Sequence, residues 1–159
     1  MMTVLTLTKL LLLFLVIIFA VFFIRTWQLL WTDEQTQFSR GSASTMPDGL
    51  YAGTVPGPKI SWLGKKFNAS ARTGINIFSS GVGKTVEKYP FVLSAGHGVH
   101  DSIQVIKIDY NVAENPLWLR PILDEIVQTG PGEYLGKLQV RILPGYPFTL
   151  TYFRLSTTS

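Results

Sequence analysis

The chain has no cysteine. Zinc–thiolate sites, iron–sulfur clusters and cysteine nucleophiles are therefore outside its chemistry. The absence does not assign a compartment, because many extracytoplasmic domains carry no disulfide. Histidine is nearly missing too, with His97 and His100 the only examples. Charge is scarce at the start: Lys9 and Arg25 are the only charged side chains in residues 1–31. The rest of the chain carries 12 basic and 10 acidic side chains. That near balance excludes the charge block of a nucleic-acid binder. No internal repeat of about 20 residues or more is present.

Against this, residues 10–24 read LLLLFLVIIFAVFFI, without one polar side chain. As a helix this run is about 22 Å long, against a hydrocarbon core of about 30 Å. The flanks, Thr3–Thr8 and Trp27–Trp31, supply the remainder. Leu10, Phe14, Ile18 and Phe22 fall inside the span. Arg25 is placed to snorkel outward, and Trp27 and Trp31 suit the headgroup zone. A cleaved secretory signal would end in small residues, whereas Arg25–Trp31 follows here. The sequence therefore predicts an uncleaved, single-pass anchor over 1–31, in contact with membrane lipids. The α-amino group and Lys9 precede the run, and Arg25, Asp33 and Glu34 follow it. The positive-inside bias then expects a cytoplasmic N-terminus and a periplasmic or other extracytoplasmic body.

Residues 32–49 are mostly small or polar and read as a linker holding a domain off the bilayer. Residues 50–159 change to short β-like runs broken by Gly, Pro and Asn. The runs are 50–55, 60–68 around Gly64, 74–78, 84–94, 102–112, 122–129, 133–142 and 148–155. Adjacent Val105 and Ile106 break strict alternation and predict a bulge or burial on both faces. The run 133–142 alternates cleanly, with Tyr134, Gly136, Leu138, Val140 and Ile142 on one face. Leu135, Lys137, Gln139 and Arg141 lie on the other. Two prolines, Pro116 and Pro121, forbid a long helix around Trp118. The expected fold is mainly β: a transmembrane helix followed by a small antiparallel barrel of about eight strands, with a β-sandwich as the alternative.

Motifs of chemistry are few. Gly81-Val82-Gly83-Lys84-Thr85 lacks the earlier glycine of a phosphate loop, since Phe78 stands there, and reads as a hairpin turn. Gly96-His97-Gly98-Val99-His100-Asp101 holds the candidates for a metal: His97, His100 and Asp101. Positions three apart point to opposite sides of a strand, so only a turn would converge the imidazoles. Ser94 lacks the nucleophile-elbow pattern that a hydrolase triad would need. Asp109, Asp124, Glu125 and Glu133 are the carboxylates nearest the core strands. No enzymatic constellation, metal or cofactor is expected. The aromatic residues carry more information, and Trp62, Trp118 and Tyr146 are candidates for a docking patch or a pocket.

The run of short strands, with Gly64-Lys65-Lys66-Phe67 near the start of the barrel, resembles the lipocalin-like calycins over about 49–156. It differs from them in lacking the Gly-x-Trp signature, because Ile60-Ser61 precedes Trp62, and in lacking cysteines. The resemblance implies an up-and-down barrel and a tethered module for a lipid, pigment or other apolar ligand. The anchor and the missing catalytic set point first to an accessory subunit of a larger membrane complex, respiratory or photosynthetic, docking on neighbouring subunits. The binding module is the alternative.

Overall fold

The computed structural model describes residues 4–158. Met1–Thr3 and Ser159 lie outside the described residues, and with them the ends of the expected anchor and β-domain and the α-amino charge. Helix α1 (Val4–Leu29) and helix α2 (Asp33–Arg40) precede eight strands. These are β1 (Gly49–Thr54), β2 (Trp62–Asn68), β3 (Thr73–Gly81), β4 (Lys84–His97), β5 (Gln104–Asp109), β6 (Ile122–Gly130), β7 (Glu133–Leu143) and β8 (Tyr146–Thr157). Every strand pairs antiparallel with the next, and β1 closes onto β8 through Tyr51–Thr54 against Arg154–Thr157. The ladder is therefore a closed meander barrel with no free strand edge, rather than an open sandwich.

Helix α1 contains neither Gly nor Pro and is apolar on all sides, so no face of it demands a protein partner. At 26 residues it is about 39 Å long, long and apolar enough to cross a bilayer. Val4–Ile17 are exposed. The last turns are fixed to β8. The Thr26 hydroxyl accepts from the Thr149 amide at 3.0 Å, and Arg25 Nε donates to the Leu150 carbonyl at 3.1 Å. The rings of Phe22 and Phe23 meet Phe148 at 5.5 and 5.0 Å between centroids, and Phe23 stacks on Tyr146 at 5.5 Å. Leu29 is buried beside Tyr152.

The polar stretch 32–49 is not a free tether. Thr32 caps α2 by accepting from the Gln35 amide at 3.3 Å, with Asp33 and Glu34 in the first turn and Arg40 in the last, the favourable order for the helix dipole. The helix lies on the outer wall of β6 and β7, and Phe38 is fully buried there with Val105, Val127, Leu135 and Tyr152. This explains the Val105-Ile106 pair: Val105 packs outward under α2 and Ile106 packs inward, each with no exposure. It also changes the reading of β7. Its second face is not solvent-facing, because Leu135, Lys137 and Gln139 are covered.

That cover contains a polar set. The Lys137 ammonium pairs with Asp101 and sits 4.1 Å from the centroid of the Phe38 ring. Gln35 donates to Asp101 at 2.7 Å and accepts from the Tyr152 hydroxyl at 2.6 Å. Burial pulls the Lys137 amine down, against the pull of Asp101. Phe38 is the apolar plug over these groups. Phe38→Ala is expected to cost about 3–5 kcal/mol, as for other buried Phe truncations. Thermal unfolding of the full chain in detergent measures it, and a loss well under 1 kcal/mol would mean α2 is not docked in solution.

Candidate functional site: a half-hollow barrel

The barrel interior is filled at one end only. Tyr51, Phe67, Phe91, Ile106, Ile126, Tyr134 and Leu155 are buried together toward the end carrying the β2–β3, β4–β5 and β6–β7 turns. Toward the other end lies a cavity of about 380 Å³. Its wall carries the rings of Trp62, Phe78, Tyr89 and Phe153 and the aliphatic side chains of Val55, Ile122 and Leu138. Ile60, from the β1–β2 loop, and Trp118, from the β5–β6 loop, are exposed and frame its mouth.

Backbone geometry opens this space. A register shift between Trp62 and Gly64 interrupts β2. Gly64 has φ +145°, and a Cβ there would stand 2.0 Å from the Tyr51 carbonyl oxygen. Only glycine permits that approach, and the shift brings Trp62 to the same inner side as Lys65. Gly136 leaves room for the Phe153 ring, which a Cβ would meet at 2.2 Å.

The cavity ends on a buried polar floor. Lys65 Nζ lies 3.1 Å from Asp124 Oδ2 and donates to Asn76 Oδ1 at 3.0 Å and to the Tyr110 hydroxyl. Asn76 Oδ1 also accepts from Trp62 Nε1 at 3.0 Å, while Asn76 Nδ2 donates to the Tyr89 carbonyl at 3.1 Å and to Tyr110 at 3.0 Å. The Tyr110 hydroxyl donates to Asp124 Oδ2 at 3.4 Å. The ammonium also lies 5.0–5.6 Å from the ring centroids of Tyr110, Phe91, Phe153 and Trp62. Burial lowers the Lys65 pKa and raises that of Asp124, and in each case the partner opposes the shift. Burial and the Asp124 charge push the Tyr110 phenol well above its ordinary range, so it keeps its proton.

Counting donors and acceptors shows what remains free. All three ammonium protons of Lys65 have acceptors, and the Tyr110 proton is shared between Asn76 Oδ1 at 3.3 Å and Asp124 Oδ2 at 3.4 Å. Asp124 Oδ1 is buried without a hydrogen-bond partner among the described residues. Among the described residues the floor therefore holds one unpaired carboxylate oxygen, itself buried, and no free ammonium or phenol donor. It matches a polar group that brings its own O–H or N–H.

The segment after β5 braces the mouth. Asn115 Nδ2 donates to the carbonyls of Pro90 at 2.7 Å and Tyr110 at 2.9 Å. Arg141 grips Asp109 with two bonds of 2.9 and 2.6 Å and donates to the Arg120 carbonyl at 3.0 Å. Trp118 then packs edge-on against Tyr89, 5.8 Å between centroids.

The residues singled out from sequence divide. Trp62 and Trp118 reach the cavity, whereas Tyr146 stacks on α1 outside the barrel. The metal candidates do not converge. His97 pairs with Gln104 at 2.9 Å in an exposed position. His100 bonds the Pro147 carbonyl at 2.9 Å, and Asp101 is held by Lys137 and Gln35. Among the described residues no cluster of three His, Asp or Glu side chains forms a metal site. The Gly81–Thr85 segment is the β3–β4 turn. The polar floor was missed, although strand parity carried the signal. Lys65 shares a face with Phe67, Asp124 with Ile122 and Ile126, and Tyr110 with Ile106 and Ile108.

No protein-family model matches the chain, and no curated protein matches it. Among solved structures it is similar to a crystal structure of a protein from Thermomonospora curvata, with a TM-score of 0.57 and 13% identity. The match covers 79% of this chain and 85% of that one. At that identity the likeness shows the eight-stranded fold and nothing of activity.

Two stability experiments probe this architecture. Lys65→Met strands a buried carboxylate and is expected to cost about 3–5 kcal/mol, while Lys65→Met with Asp124→Leu recovers most of the loss. Urea unfolding of both variants in detergent tests this, and a double variant worse than the single one counts against it. The second concerns Asp109. Burial alone would raise its pKa, but the Arg141 hydrogen bonds outweigh burial and leave it below the ordinary 3.8. A carboxyl depressed in the folded state stabilises above its unfolded pKa, and that contribution is lost as pH falls through the folded value. Asp109→Asn should therefore lower the Tm at pH 7, with the gap to wild type closing below pH of about 4.

Proposed function

We propose that this protein is a membrane-anchored, lipocalin-like binding module for a neutral, mostly apolar small molecule with one hydroxyl or N–H group. The cavity above the Lys65–Asp124–Tyr110 floor carries the reading. Its size falls within the usual range for small-molecule sites, about 300–1,000 Å³, and its lining is largely aromatic and aliphatic. The unpaired Asp124 Oδ1 accepts the ligand's proton donor. An anionic head, such as a fatty-acid carboxylate, would face that oxygen with no free donor to meet it. The hollow interior supports a binding module more directly than a docking subunit. Helix α1 anchors the barrel in the bilayer, with the N-terminus cytoplasmic and the barrel on the extracytoplasmic side. No catalytic step is assigned to the site.

Organic extraction of the full chain purified from its native membranes tests the reading. Mass spectrometry should find one neutral alcohol or amide in near-stoichiometric amount. Leu138→Trp, which fills the cavity, should abolish it with an unchanged far-UV circular dichroism spectrum. Equal extracts from both proteins would defeat the binding reading, and a carboxylate ligand would defeat the assignment to Asp124.

A further inference from the structure

We infer that the open end of the barrel rests on the bilayer that holds α1, so that the cavity mouth opens into the lipid phase and the ligand enters from the membrane. The inference rests on the proposed anchoring and binding. It adds the orientation of the barrel and the source of the ligand.

In an antiparallel meander the loops alternate between two ends. The β1–β2, β3–β4, β5–β6 and β7–β8 loops share one end, and it is the end with the cavity mouth. Helix α1 points the same way. Read backwards from Leu29, which packs near Tyr152, it passes Thr26 at Thr149 and reaches Phe23 at Tyr146, the first residue of β8. It then runs past the end of the strand, with Phe19 and Phe22 still against Phe148 and Val4–Ile17 exposed. Val4–Ile24 provide about 31 Å of helix whose only polar side chains, Thr6, Thr8 and Lys9, lie at its far end, a match to a hydrocarbon core of about 30 Å. Arg25 then marks the boundary. Tyr146, stacked on Phe23, stands at the depth of the last apolar turn.

The surface chemistry agrees. Each of the four loops or strand ends at this end presents exposed apolar side chains: Ile60, Val82, Leu117 with Trp118, and Ile142 with Tyr146. Val82 and Leu117 are among the most exposed, at 103% and 77%. Water is a poor solvent for such a ring of side chains, and the interface is a good one. Exposed Lys59 and Lys84 lie beside them, placed for lipid phosphates. At the opposite end the turns at 69–72 and 131–132 carry no exposed large apolar side chain, and the exposed ones nearby are Leu50 at the start of β1 and Val99 in the β4–β5 loop, at 48% and 37%. The occupant of this face is therefore the phospholipid surface, already within reach because the protein's own helix is inserted there.

The absence of native cysteine makes single-site labelling clean. Leu117→Cys and Ile142→Cys at the mouth, Ser70→Cys at the opposite end and Phe14→Cys within α1 would each carry a bimane label. The full chain is reconstituted in phosphatidylcholine–phosphatidylglycerol vesicles. Doxyl-labelled phosphatidylcholine should quench positions 117 and 142 several-fold more than position 70, which iodide should quench instead. Position 14 should be quenched by lipid only. Iodide quenching at both mouth positions overturns the inference, as does shielding from both quenchers, which would mean that a protein covers this end. Water access at position 14 overturns the anchoring and the inference together. Lipid-quenched mouth labels without an extractable ligand support this orientation while defeating the binding reading. Wet mouth labels with a bound ligand do the reverse.

Discussion

The pairing of β1 with β8 is the constraint on which the rest of the structure depends. Through Tyr51–Thr54 against Arg154–Thr157 it turns a meander of hairpins into a cylinder. Once closed, every strand has an inside and an outside, and a single alternation serves two separate cores. One is the aromatic and aliphatic filling of the barrel. The other is the outer seam where α1 and α2 cover β6, β7 and β8. Opening the β1–β8 seam would expose both strand edges and remove the wall that bounds the cavity.

The two cores each bury a lysine, and the lysines do different work. Lys137, outside the barrel, draws Asp101 and the β4–β5 loop toward α2. Phe38 closes over that group, and Gln139 Oε1 on the same face of β7 is buried without a partner among the described residues. Lys65, inside, has its charge matched by Asp124 and its protons spent on Asn76 and Tyr110 as well. A buried pair of this kind is not a source of net stability when compared with apolar filling. This pair lies at the base of the cavity with Asp124 Oδ1 unpaired.

Much of the architecture was legible along the chain. Fifteen consecutive apolar residues at 10–24 have no stable place in a water-soluble helix surface, and they form the exposed helix α1. Turn residues every 8–12 or so positions mark the hairpins, and the run 133–142 became β7 nearly as bounded. The segment 32–49 was less legible. Its helix has only eight residues, too few for a sustained period, and is stabilised by docking Phe38 rather than by its own propensity. The site was legible in parity only. Alternation puts Lys65 on the side of Phe67, but it does not say that side is the interior, nor that Asp124, 59 positions along, stands opposite.

By itself, then, the sequence determined a greasy helix, an all-strand body and the exclusion of thiol chemistry, because each depends on local composition and period. Only the tertiary structure decided that the cylinder is half empty, which lysine is inside it, and that helix α1 leaves from the open end. These depend on register, on the Gly64 shift and on the docking of α1 along β8. The α1–β8 contacts join residues more than 100 positions apart, and no local pattern encodes them.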